Sequence, residues 1–308
     1  MILSDNKDFP APGAYAGISF EDYASVKAAN SSILRALATM TPAKAKHYVE
    51  NRKVTKAMQE GQDLHTYILE PERFSRECFI AQPCQYLLKS GKRKDTPCGA
   101  GTAEWDGKAW LCGKHREEDG FKGISPELHN RLRLAREEIW RVAGDVMQAV
   151  EDGEAYTELS LIWKDEETGV LCKARLDIFQ KDFDGEWNEI TDLKKCRSAN
   201  PETFGGDVGA MGYHIQAAWY RRGAAACFGD ATYVFRFVAV ELNPDEENGA
   251  QVLVLDDEAD RVGEMAMKSA LAVYADCLKS GEWPGYSAEA KTVSLRPWVA
   301  RREELLNS

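Results

Sequence analysis

Two β-rich runs, Val170 to Gln180 (VLCKARLDIFQ) and Glu186 to Leu193 (EWNEITDL), flank the turn-forming pair Asp184-Gly185. This pattern predicts an antiparallel hairpin. Thr157–Trp163, Thr232–Leu242 and Gln251–Leu255 read as further strands. Helices are expected where apolar residues recur every three or four positions. Val54, Met58, Leu64 and Ile68 mark one over 54–69, which ends before Pro71. Leu128, Leu132, Ala135, Ile139, Val142 and Val146 mark a longer one, opened by Ser125-Pro126 and running to about Glu151. Asn30 or Ser31 can cap SSILRALATM, and Thr41-Pro42 is a second start signal. Pro201 to Ala226 and Asp257 to Ser280 complete the helical set. The order is helices, a β-meander, then mixed α and β. It predicts an α/β fold, a mixed sheet flanked by helices, with the chemically active residues at one sheet edge. No internal repeat or long linker divides the chain, so 1–308 is read as one domain.

The hairpin carries the chemistry. Alternation along a strand points Asp192 and Lys194 the same way, while Leu193 turns into the core and leaves its carbonyl beside them. Asp177 lies on the partner strand. Two carboxylates and a carbonyl can anchor Mg²⁺, which prefers octahedral oxygen ligands and retains several waters. A lysine ammonium beside such an ion can orient the attacking water and offset charge on a phosphate. Aspartate-x-lysine alone is common in acidic proteins, where it marks a solvated strand end. Here the helix that follows adds Gln216 and Tyr220 at i, i+4, on one face.

RLD at 175–177, TDLKK at 191–195 and YHIQAAWY at 213–220, in this order and spacing, resemble the PD-(D/E)XK nuclease superfamily, in the branch that contains exonuclease VIII and the RecBCD nuclease domain. An upstream segment, EGQDLHTYILEPERF, resembles the exonuclease VIII motif whose histidine completes the site, here His65. The resemblance covers roughly Ser31 to Trp298. It implies a restriction-endonuclease-like sheet and a Mg²⁺-dependent exonuclease, with Mn²⁺ as a substitute, acting on duplex DNA ends during phage or prophage recombination by strand annealing. By the same resemblance Asp177, Asp192, the Leu193 carbonyl and His65 hold metal. Lys194 is the catalytic lysine, and Gln216 and Tyr220 lie near the DNA. Asp192 occupies a position where many superfamily members have glutamate. Relatives form rings, so a homo-oligomer and a single-strand annealing partner are expected. A structure-selective or Cas4-like nuclease and a catalytically silent DNA-binding module are the competing readings. Glu158, on the strand 157–163, is a further acidic candidate whose simpler reading is an ordinary strand-end carboxylate.

Composition changes this picture in two places. The net charge of -11 over 308 residues would repel DNA as a whole, so contact must be local. Candidate patches are Lys44, Lys46, Arg52, Lys53 and Lys56; Lys89, Lys92, Arg93 and Lys94; and Lys194, Lys195, Arg197, Arg221 and Arg222. Of the eight cysteines, three fall with a histidine in a polar insertion over 82–122: Cys84, Cys98, Cys112 and His115, spaced C-x13-C-x13-C-x2-H. Four such ligands suit a structural Zn²⁺, and a segment this polar has little core of its own. The alternative is an exposed loop with unconnected thiols. A [4Fe-4S] cluster fits poorly, because only Cys227 and Cys277 follow the nuclease motifs. No apolar run is long enough for a membrane span, and the N-terminus lacks a basic region followed by an apolar one. A protein of the bacterial host cytoplasm is expected.

Overall fold

The computed structural model describes residues 2–3, 9–80, 87–97, 104–105, 110–111, 122–183, 187–243 and 247–295. In chain order these form β1 (Ile2–Leu3), β2 (Gly13–Tyr15), α1 (Phe20–Ser25), α2 (Ser31–Leu37), α3 (Pro42–Glu50), α4 (Lys56–Leu69), α5 (Pro71–Glu77), β3 (Cys78–Ile80), β4 (Glu104–Trp105), β5 (Trp110–Leu111), β6 (Lys122–Ile124), α6 (Pro126–Glu151), β7 (Ala155–Lys164), β8 (Leu171–Phe183), β9 (Trp187–Cys196), α7 (Pro201–Met211), α8 (Tyr213–Phe228), β10 (Tyr233–Glu241), β11 (Ala250–Val254) and α9 (Asp257–Ser280).

A seven-stranded mixed sheet runs in the order β1-β2-β7-β8-β9-β10-β11. β7, β8 and β9 form an antiparallel meander. β9 and β10 are parallel, which requires a crossover, and α7 with α8 supplies it. Strands covered on both faces bury nearly every position, as β8 and β9 do. On one face α2, α8 and α9 pack through Leu34, Trp219, Met267 and Leu271. On the other α4 and α6 pack through Leu64, Ile68, Leu132 and Ile139. The restriction-endonuclease-like α/β architecture expected from the sequence is the one observed.

The helix ends follow their local signals. Thr41, Ser125 and Asn200 each accept a first-turn backbone N–H, and in all three helices a proline follows where its missing N–H costs nothing. Thr55 caps α4, so Val54 lies outside the helix and is 65% exposed, where apolar periodicity had placed it inside. α6 spans its expected length with non-helical dihedrals at Ala143. After α9 the chain returns across α3: Ala43 N–H donates to Pro284 O at 3.1 Å, and Lys44 and Lys46 lie over the rings of Tyr286 and Trp283.

Two expectations need correction or placing. Asp177 and Asp192 are not at a sheet edge. They sit on β8 and β9, with strands on both sides, because strand order is set by non-local pairing that linear patterning does not carry. The insertion 82–122 is bracketed by β3 and β6, which pair in parallel. Cys84, Cys98, Cys112 and His115, and the Asp184-Gly185 turn, lie outside the described residues. Among the described residues no helix is long and apolar enough to cross a membrane.

Candidate active site

The site forms where the meander is irregular. β8 and β9 hold register through Ile178↔Thr191. One step further, at the level of Asp177 and Asp192, Leu193 N–H donates instead to Asp177 Oδ2 at 2.8 Å. A side chain has taken the place of a ladder carbonyl. β7 and β8 pair at Thr157↔Ile178 and Leu159↔Leu176, either side of Glu158 and Asp177. Both strands change face between those pairs. Ala155 and Ile178 pack with α4 and α6, whereas Leu159 and Leu176 pack with α8. Glu158 has φ +51, a left-handed conformation that costs on the order of 1–3 kcal/mol in a non-glycine residue and concentrates at functional sites.

His65 reaches this fault from α4, whose Leu64 and Ile68 are buried. Its Nε2 lies 2.8 Å from Leu193 O. A carbonyl only accepts, so Nε2 carries the proton and Nδ1 faces Asp177 Oδ2 at 3.7 Å and Glu158 Oε1 at 4.0 Å. A neutral imidazole would thus aim a lone pair at two carboxylates, an arrangement that a cation between them makes favourable. One ligand atom from each of His65, Glu158 and Asp177 lies within 4.8 Å of the other two. Burial pushes the Asp177 carboxyl up to about 7, with the neighbouring Asp192 adding to the shift and the positive charge beside it opposing. Oxygen donors with one imidazole suit a hard divalent ion such as Mg²⁺ or Mn²⁺, so the residues fit the metal that the fold implies. Arg175 ion-pairs with Glu158 and donates to Ile18 O and Ser160 Oγ, which fixes the carboxylate's direction.

Asp192 is fully buried. Its Oδ2 pairs with the Lys194 ammonium and has no other donor among the described residues, while Oδ1 accepts Gln216 Nε2 at 3.0 Å. The same amide nitrogen donates to Tyr220 Oη at 2.9 Å. Gln216 and Tyr220, expected beside DNA, are 5% and 7% exposed and stand behind Asp192. Burial works to lower the Lys194 pKa, but Asp192 and Asp177 outweigh it and the net shift is upward. Lys194 is therefore a fixed positive charge. Its Nζ lies 5.0 Å from the centroid of Tyr213. Tyr213, at i−3 from Gln216 within YHIQAAWY, was legible by helical spacing, but Glu158's φ and Arg175's partnership had no mark in the sequence.

The basic patches separate into two kinds. Lys195 pairs with Glu60 at 3.0 Å, Arg221 with Asp260 and Arg222 with Asp165, so the chain's own acids occupy them. Arg52, Lys53 and Lys56 are exposed and make no ion pair among the described residues.

The model of a family described as a PDDEXK-like domain of unknown function (DUF3799) matches residues 27–296. The chain belongs to this family. The matched span of the PDDEXK-like domain takes in His65, Asp177, Asp192, Lys194, Gln216 and Tyr220. A solved structure described as a putative exonuclease, from Eubacterium rectale, aligns over 91% of this chain and 95% of that chain, with TM-score 0.53 and 14% identity, which establishes likeness of fold. A structure of SSO0001 aligns over 47% of this chain and 70% of that one, at TM-score 0.24 and 15% identity, and carries no argument. No curated protein matches.

Proposed function

We propose that this PDDEXK-like protein is a Mg²⁺-dependent deoxyribonuclease, an exonuclease that hydrolyses phosphodiester bonds from duplex ends and supplies strands for recombination by annealing. The observation that supports this reading best is the convergence of His65, Glu158 and Asp177 beside the Asp192–Lys194 pair, at the point where β8 and β9 part. In this reading Asp177, Asp192, His65 and the Leu193 carbonyl hold the metal, with Glu158 added to the set. The metal supplies Lewis acidity toward the phosphate and a more acidic water. Lys194, held charged, offsets negative charge on the attacked phosphate. Gln216 and Tyr220 act on Asp192 rather than on DNA, keeping its carboxylate directed at the site. Exposed Arg52, Lys53 and Lys56 supply local attraction on a chain of net charge -11. Several copies arranged with these cations inward would separate the DNA path from the acidic exterior.

The test is Mg²⁺-dependent digestion of linear against covalently closed duplex DNA, with Lys194→Ala beside wild type and acid-soluble nucleotide as the readout. Loss of linear DNA alone, abolished by the substitution, is the expected result. Cutting of closed circles would assign a structure-selective or Cas4-like endonuclease instead. An absence of digestion would assign a silent binding module.

A further inference from the structure

Arg35, on α2, contributes a second cation to the Tyr213 ring. Its guanidinium carbon lies 5.4 Å from the ring centroid, against 5.0 Å for Lys194 Nζ. Unlike Lys194, it has no acid. Arg35 makes no ion pair among the described residues, and its Nε is buried with no hydrogen-bond partner. The aliphatic stem is held by the turn between α7 and α8: Gly212 has φ +67, and a Cβ there would lie 3.0 Å from Arg35 Cγ. Burial lowers the Arg35 pKa, as does the nearby positive charge of Arg52, while Tyr213, Tyr220 and Asp192 oppose the shift. Arg52 is exposed and also makes no ion pair among the described residues. Buried donors are ordinarily satisfied, and a partly buried guanidinium is ordinarily paired with an anion. Both deficits disappear if an oxyanion binds, and a guanidinium fork matches phosphate geometry.

We propose that Arg35 binds a phosphate of the substrate strand adjacent to the one under attack, sharing the Tyr213 ring with Lys194. The proposal rests on the nuclease reading above. Arg35 is a binding residue here, distinct from the metal-holding set, and its effect falls on affinity.

The test uses the full chain carrying Lys194→Ala, which removes turnover, with Arg35→Gln or Arg35→Lys added. Binding of a short fluorescein-labelled duplex is followed by anisotropy in Mg²⁺ across a sodium chloride series. Arg35→Gln is expected to weaken binding roughly 10-fold and to reduce the slope of log affinity against log salt by about 0.9, the loss of one phosphate contact. Arg35→Lys keeps the charge and is expected to keep the slope. Duplexes with 5′-phosphate and 5′-hydroxyl ends distinguish the source. A loss confined to the phosphorylated end assigns a terminal monoester, and an equal loss assigns an internal diester. A purely structural arginine would lower the unfolding temperature without moving the slope. If Arg35→Gln melts early, its slope is read at a temperature where both proteins are folded: a slope lower by about 0.9 supports the proposal, and an unchanged slope overturns it. A parent that binds while Arg35→Gln leaves affinity and slope unchanged overturns this proposal alone. A parent that binds no duplex removes the nuclease reading and this proposal with it.

Discussion

Gln216→Leu isolates what holds Asp192 in place. Among the described residues the fully buried carboxylate has one hydrogen-bond donor, Gln216 Nε2 at 3.0 Å, and one ion-pair partner, Lys194. Leucine keeps the volume and removes the donor. Loss of a hydrogen bond to a buried charge costs about 1.5–3 kcal/mol. Part of that is returned, because Gln216 Oε1 is itself buried with no partner in the wild-type protein. The net expectation is roughly 1–2 kcal/mol, which for a chain of this size is about 2 °C in unfolding temperature. Tyr220→Phe removes only the neutral bond from the same amide nitrogen, so it should cost less, about 0.5–1.5 kcal/mol. The two losses should be non-additive in the double variant, since one amide serves both. Urea unfolding gives the stability change and a Mg²⁺ titration of unfolding temperature gives the metal midpoint. That midpoint should rise about 10–100-fold, as when residues supporting metal ligands are removed elsewhere. A Gln216→Leu protein as stable as wild type, with an unchanged Mg²⁺ midpoint, would refute the assignment of Gln216 to Asp192.

Other expectations concern packing, protonation and the insertion. Gly263→Ala places a Cβ 2.4 Å from His214 O, where α8 and α9 cross, and should destabilise by about 1–3 kcal/mol despite alanine's helix preference. Gly206→Ala on α7 meets nothing within 4 Å and should stabilise by up to about 1 kcal/mol; equal effects at the two positions would contradict the crossing geometry. Asp177 is raised from 3.8 to about 7, so its contribution to metal-free stability is full below the unfolded value and is lost as pH rises through about 7. Metal needs the ionised carboxyl, so the Mg²⁺-induced rise in unfolding temperature should be larger at about pH 8 than at about pH 5, and a pH-independent rise would count against Asp177 as a ligand. Elemental analysis of the purified chain should find one zinc, lost on replacing Cys112 and His115 with serine and alanine; a zinc-free wild type leaves Cys84, Cys98, Cys112 and His115 as three unconnected thiols and a histidine.

Local chemistry made much of the fold legible. α9 spans Asp257–Ser280 as expected, because Asp256 caps its start and Gly281 takes the left-handed conformation after its end. The helix opened by Ser125-Pro126 ends at Glu151 for similarly local reasons. The grouping of His65 with Asp177, Asp192 and Lys194 was anticipated through the family pattern, and the structure brings these residues together. Orientation was less accessible. Helical spacing put Gln216 and Tyr220 on one face but could not say that this face turns inward, toward Asp192. Glu158 looked like a strand end because a left-handed residue inside a strand leaves no trace in TELSLIW. Arg35 was invisible, since its meaning depends on Tyr213 and Gly212, which tertiary folding alone brings to it.

The substitution of Asp177 Oδ2 for a ladder carbonyl has an evolutionary corollary. The centre of a sheet is where pairing is worth most, and here it is interrupted to seat a buried acid. An apolar β-branched residue at 177 would remove a carboxyl that burial already disfavours, and stabilise the sheet where Leu193 N–H returned to a ladder carbonyl. Directed evolution for thermostability alone should therefore erode this position first, and a lineage released from selection on its chemistry would reveal itself by losing Asp177 while keeping the fold.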